Sequence, residues 1–201
     1  MSRLLGLTFI LSLGTTAFAA NQIGIAIEAI STMPGWGVAI ACTALVGYSI
    51  GENKLNKSQE YTLYSTIIAS IFMGALAVFF FFVPKTLISF FINKEEIDVI
   101  RIGAMCLQVA AFEQIPIAFV TVLGSYFKGI GNPKIPFYVS FFTNWFLRIP
   151  IAFYLISILR LPVHIFWIIT TFQWLLESII LYYLYRKNIN TTLKNTSVSN
   201  V

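Results

Sequence analysis

The chain has 201 residues, of which 58% are apolar and only 10% charged, with a mean hydropathy of +0.82. A soluble domain carries about 25% charged residues, so this chain could not cover its surface with polar groups, and water is excluded as its main solvent. The net charge of +5, from 13 Lys and Arg against 8 Asp and Glu, reports orientation in a membrane before it reports a partner. Nucleic acid is a poor reading of it.

The N-terminus offers two readings. Arg3, the apolar run Leu4 to Leu13 and Ala17-Phe18-Ala19 have the three parts of a secretory signal peptide, but almost everything after residue 20 is again membrane-like, which decides against it. As a helix the run is short: if the chain turns at Gly14-Thr15-Thr16, about ten apolar residues precede the turn, roughly half of what a crossing needs. Five convincing spans follow, over 17–50, 61–92, 99–127, 135–159 and 161–185. The fold expected is an all-α membrane protein, a multi-pass bundle of five full transmembrane helices plus a truncated first one.

The connections are charged or rich in Gly and Pro: Gly51 to Lys57, Asn93 to Asp98, Lys128 to Lys134, and the turn Arg160-Leu161-Pro162. If the spans alternate, one side carries Arg3, Lys54, Lys57, Lys128, Lys134, Arg186, Lys187 and Lys194, and the other only Lys85, Lys94, Arg101 and Arg160. The more basic side is expected to be cytoplasmic, with both termini on it. Residues 1–187 then form the bundle. The Asn/Thr/Ser-rich segment 188–201 is expected to be a disordered cytoplasmic tail.

Four ionisable side chains lie well inside apolar runs: Glu28, Glu113, Arg148 and Glu177. Each is expected to cost about 2.5 to 3.5 kcal/mol at the bilayer centre on insertion scales, so each should face protein or a water-filled cavity. Counted from the Arg160–Leu161 turn, Arg148 and Glu177 differ in depth by about 6 Å at 1.5 Å per residue, within reach of a guanidinium. A structural ion pair between them is expected. Glu28 and Glu113 have no basic neighbour in their own runs and sit near helix-breaking residues, Pro34, Gly35 and Gly37 after the first and Pro116 after the second. A carboxylate beside a kink in low dielectric can exchange a proton or bind a cation. The alternative is a hydrogen-bonded structural acid.

The four consecutive aromatics Phe79 to Phe82 cover all faces of a helix, which points to lipid contact. Trp145, Trp167 and Trp174 read as interfacial anchors, and Trp36, next to a kink, as a cavity residue. Cys42 and Cys106 lie in apolar runs and read as small hydrophobes. His164 is the one histidine and Asp98 the one aspartate, and no His/Cys/carboxylate cluster has metal-ligand spacing. An enzyme is not expected.

The order and spacing of Leu13-Gly14-Thr15-Thr16-Ala17-Phe18-Ala19-Ala20-Asn21-Gln22-Ile23, then Ile27-Glu28-Ala29-Ile30-Ser31-Thr32-Met33-Pro34-Gly35-Trp36-Gly37 and Thr43-Ala44-Leu45-Val46-Gly47 resemble the multidrug and toxic compound extrusion (MATE) family. So do Phe112-Glu113-Gln114-Ile115-Pro116, Lys128-Gly129-Ile130-Gly131-Asn132-Pro133 and Leu147-Arg148-Ile149-Pro150. The resemblance covers residues 7 to 187. It implies a twelve-helix antiporter of two six-helix bundles that exports cationic, often aromatic compounds for protons or sodium ions, with no cofactor beyond that coupling ion. It further implies that this chain is the second bundle, set in the cell membrane, with a missing N-terminal six-helix bundle as partner. Glu28 and Glu113 fall on acidic positions of the family pattern and are carried over as ion-coupling residues, with Pro34 and Gln114 beside them. Tyr48, Glu52 and the Lys128 to Pro133 loop depart from that pattern, and the last of these, which lacks an acid in the loop, puts loop gating in doubt more than substrate choice.

Two other readings stay open: an inactive truncated or split product acting only as an assembly partner, and a related lipid or polysaccharide flippase. A flippase cavity would carry several basic residues. Here Arg148 alone lies deep in a span, which favours small cationic substrates.

Overall fold

The computed structural model describes residues 2–93 and 95–199, with side chains over 5–93 and 95–190. Every regular element among the described residues is helical, the solution open to a backbone that must satisfy its own N–H and C=O groups in lipid. In chain order these are α1 (Ser2–Leu11), α2 (Thr15–Gly51), α3 (Leu55–Phe82), α4 (Pro84–Ser89) and α5 (Ile97–Gly129). Then comes α6 (Lys134–Phe142), which runs without a break through a π-helical segment (Thr143–Arg148), α7 (Ile149–Ala152) and a second π segment (Phe153–Ile158); α8 (His164–Ser199) closes the bundle.

Five helices are long and apolar enough to cross a membrane: Thr15–Gly51, Leu55–Phe82, Ile97–Gly129, Lys134–Ile158 and His164–Asn190. The ten residues of α1 make a rod about 15 Å long at 1.5 Å per residue, half a hydrocarbon core. The five-plus-one arrangement is the one expected. Gly14, at φ +106°, makes the turn into α2 in a conformation that side-chain-bearing residues resist. Ala17-Phe18-Ala19 lies within the first turns of α2, and Ala20 is fully buried, so this segment is part of the bundle.

Some boundaries differ from expectation. The span drawn over 61–92 ends at Phe82, because Pro84 starts a separate short helix. Pro34 and Pro116 lie inside continuous α2 and α5, as the spans drawn through them require; a proline withholds one N–H from the carbonyl four residues back, and the rest of the ladder carries on. The last span starts at His164 rather than 161, after the non-helical Pro162. Helical backbone in α8 runs to Ser199, past Asn188, where a disordered tail is expected.

Pro150 also explains the first π segment. Its missing N–H leaves the Phe146 carbonyl without a four-residue partner, and a π turn, reaching five residues back, supplies the next donor instead. The same wide spacing is seen where Ile149 N–H bonds Asn144 O. The second π segment holds no proline and nothing in the structure explains it.

Packing is centred on α5, which lies against α2, α3 and α8. The α2–α5 approach is close enough that a Cβ on Gly129 would lie 2.8 Å from Thr43 O and from Val46 Cβ, as expected where small residues let membrane helices meet. Two apolar clusters fill the bundle, one around Ile27, Leu107, Ile156 and Trp167, the other around Cys42, Met73, Leu123 and Phe127. Between them runs a belt of buried polar side chains, among them Ser31, Glu113, Gln114, Thr143, Gln173 and Glu177. Outward faces carry Ile71, Phe72, Phe79, Phe82, Phe142 and Phe146, a surface suited to lipid. Two departures from the family pattern touch: Tyr48 hydrogen-bonds Glu52, and the Lys54 ammonium, 2.9 Å from Glu52 Oε2, holds that exposed carboxyl below its usual range.

Candidate functional site

The polar belt opens into a cavity of ≈ 740 Å³. Helical spacing decides what lines it. On α2 the residues Glu28, Thr32 and Trp36 recur every four positions and share one face; on α5 the face is Glu113, Ile117, Thr121 and Lys128. Opposite them, Ser140 and Arg148 come from the Lys134–Ile158 span, and Trp167, Thr170, Trp174 and Glu177 from α8.

Glu28 and Glu113 therefore meet in one cavity. Glu113 is fully buried, and both the Glu28 carboxyl and the Arg148 guanidinium are near enough to act on it electrostatically. Its Oε2 lies 3.5 Å from the Thr171 hydroxyl, which gives its one hydrogen to Trp167 O at 2.9 Å. Glu113 Oε1 is buried, and the Glu113 and Glu28 carboxyls are close enough to hydrogen-bond each other.

Glu177 is held differently from the ion pair expected. Its Oε1 accepts the Ser140 hydroxyl, and its Oε2 accepts Thr143 Oγ1 at 2.9 Å and Gln173 Nε2 at 2.7 Å. Arg148 is turned elsewhere: Nη1 donates to Asn144 Oδ1 at 3.3 Å, and the guanidinium carbon stands 5.4 Å from the centre of the Phe166 ring. Counted from the Arg160–Leu161 turn, Glu177 falls level with Asn144, beside Thr143 and about 6 Å from the level of Arg148; the offset is the one expected, but the guanidinium does not span it, being turned to Asn144 and Phe166.

The remaining residues sort clearly. Gln114 is fully buried and ties two helices, accepting Ser31 Oγ at 2.7 Å and donating to Ala110 O at 3.3 Å. Neither it nor the exposed Pro34 lines the cavity. Trp36 does, as expected; Trp167 and Trp174, expected at the interface, do as well, with Trp167 Nε1 donating to Asn21 Oδ1 at 3.1 Å. The missed signal was the face shared by Trp167, Thr170, Trp174 and Glu177, which aromatic content alone conceals. Among the described residues no group of His, Cys, Asp or Glu is arranged to hold a metal through three such side chains.

A multi-pass helical bundle with an acidic, tryptophan-lined cavity at mid-depth is the architecture of a membrane transporter lobe. The family model MatE matches residues 1–154, and the chain belongs to that family of transporters, which are not enzymes. The probable multidrug resistance protein NorM of Thermotoga maritima is 27% identical over 155 residues, covering 77% of this chain and 33% of that protein. Its counterpart from Mannheimia succiniciproducens is 27% identical over 175 residues, covering 85% and 37%. An outward-facing multidrug resistance MATE family transporter of the MOP superfamily superposes with a TM-score of 0.87 at 17% identity, covering 94% of this chain and 42% of that one. The chain thus spans about a third of the length of these curated relatives and under half of that solved transporter.

Proposed function

We propose that this chain forms one lobe of a secondary antiporter that exports cationic drugs or other toxic organic compounds in exchange for protons or sodium ions, acting with a second six-helix bundle in the cell membrane. The observation that carries the reading is the meeting of Glu28 and Glu113 in one tryptophan-lined cavity, close enough for the two carboxyls to hydrogen-bond each other. Two carboxyls so close favour a proton or a cation between them. Export then follows if the coupling ion and a cationic substrate compete for the same pair of carboxyls, while Trp36 and Trp174 offer ring faces to the substrate's charge. Three carboxyls line the cavity against Arg148 and Lys128, which favours cations over the anionic lipid-linked substrates of a flippase.

The test joins this chain to the first six-helix bundle of a relative and follows efflux of a fluorescent organic cation. Glu28→Gln and Glu113→Gln should each lower ion-driven efflux at least about tenfold, equivalent to about 1.4 kcal/mol. Full efflux from both variants would make the carboxyls structural and move the coupling site to the other bundle. Both termini are proposed to be cytoplasmic. Exposed Asn56 and Asn93 report it: an impermeant maleimide outside intact cells should label Asn93→Cys and spare Asn56→Cys, native Cys42 and Cys106 being buried. The reverse pattern would invert the topology.

A further inference from the structure

Arg148 serves neither the ion pair expected of it nor any step of the antiport reading. Its guanidinium is on the cavity wall with Glu28 and Glu113. Asn144 Oδ1 accepts Nη1 at 3.3 Å, and the Phe166 ring lies beside the charge, 5.4 Å from ring centre to guanidinium carbon. Both are neutral groups, so they fix the position of the charge without cancelling it.

Register along α8 shows how near the acidic pair this charge stands. Phe166 marks the guanidinium, and Thr171, 3.5 Å from Glu113 Oε2, marks the carboxyl; the rise between those two residues is about 7.5 Å. At that range a unit charge is still felt inside a protein, and Arg148 and Glu28 both act on Glu113. Two further charged side chains share the wall. Lys128 is exposed and lies about 22 Å along α5 from Glu113. Glu177 has its carboxylate met by the Ser140, Thr143 and Gln173 donors, which stabilise its charge where it is. The cluster that faces a cation bound at the pair is therefore Glu28, Glu113 and Arg148.

A guanidinium does not lose its proton in proteins, so its charge stays constant while the carboxyls exchange theirs. With both carboxyls ionised, the three side chains sum to one negative charge. One monovalent cation makes the cluster neutral. A dication in the same place leaves one positive charge uncompensated, which is costly away from water. With a neutral residue at position 148 the sum would be two negative charges, and the preference should turn toward the dication.

We propose that Arg148 is a specificity residue, whose fixed charge makes the Glu28–Glu113 cavity accept one monovalent cation and reject dications of the same shape. The proposal rests on the reading of Glu28 and Glu113 as the cation-binding pair, and the two fail differently. Monocation binding that survives both Glu28→Gln and Glu113→Gln defeats that reading, and this proposal with it. Binding that needs the carboxyls but keeps one monocation-to-dication ratio with and without the Arg148 charge defeats this proposal alone.

The experiment is equilibrium dialysis of the purified chain in detergent against two radiolabelled probes, the monocation N-methyl-phenylpyridinium and the dication N,N′-dimethyl-bipyridinium, para-linked ring pairs of nearly equal size that differ by one charge. Wild type should bind the monocation at least about tenfold more tightly, the scale set by an uncompensated like charge. Arg148→Gln should move the ratio at least about tenfold toward the dication. Arg148→Lys keeps the charge and should keep the wild-type order, which a purely structural guanidinium would not. If Arg148→Gln does not fold, Asn144→Asp decides: it retains the acceptor for Nη1 and nearly the same shape, sets a negative charge against the guanidinium, and should move the ratio in the same direction. No binding of either probe by wild type, a dication bound as tightly as the monocation, Arg148→Lys behaving as Arg148→Gln, or an unmoved ratio in Arg148→Gln or Asn144→Asp would each overturn the proposal.

Discussion

Two carboxyls on the wall of the same cavity are furnished differently. Glu177 has three donors on its two oxygens. Glu113 faces a hydroxyl at 3.5 Å that also bonds a backbone carbonyl, and its other near neighbour is the Glu28 carboxyl, with which it shares a hydrogen bond. Both are buried, so burial does not separate them; the supply of neutral donors does. The contrast separates a carboxyl set against another carboxyl from one surrounded by neutral donors.

The largest effect that would sharpen this contrast is on stability. Glu177→Leu removes the acceptor shared by Ser140, Thr143 and Gln173. Thr143 can fall back on Val139 O, but the other groups stay in the protein interior, and at about 1 to 3 kcal/mol for each stranded buried group the loss should be roughly 3 kcal/mol. Glu113→Leu strands the long Thr171 contact and the bond to Glu28, whose carboxyl stays on the cavity wall, and should cost about 1 kcal/mol. Unfolding of each variant in mixed detergent micelles, read by tryptophan fluorescence, checks the pair. Equal losses would erase the distinction.

Much of this was legible in the sequence, and the limits are instructive. Hydropathy placed five spans and a short first helix because length and apolar content are properties of each segment alone. The four intramembrane ionisable residues stood out for the same reason. That Glu28 and Glu113 would face each other depended on α2 and α5 packing closely, which neither run discloses by itself. The Arg148–Glu177 pairing went astray because depth says nothing of which other groups lie at each level: Ser140, Thr143 and Gln173 take the Glu177 carboxyl, and Asn144 and Phe166 hold the guanidinium. Trp167 and Trp174 were placed at the interface because tryptophan is commonest there, whereas their shared face with Glu177 turns them inward.

The smallest expected effect isolates the donors from the carboxyls. Thr143 and Thr171 are both β-branched, both on helices, and both within hydrogen-bonding reach of a buried glutamate, at 2.9 and 3.5 Å respectively. Replacing either by Val keeps shape and χ1 preference, so packing cancels and the hydroxyl alone is read. Thr143→Val removes a hydrogen bond to a carboxylate oxygen and should cost about 1.5 kcal/mol. Thr171→Val removes a hydroxyl whose hydrogen goes to Trp167 O, a carbonyl that the helix ladder itself can satisfy through the Thr171 N–H; the change should stay within about 0.5 kcal/mol. Both can be measured in the same micelles as the leucine variants. If Thr171→Val costs as much as Thr143→Val, the Thr171 hydrogen serves Glu113 after all, and the two carboxyls are furnished more alike than their distances indicate.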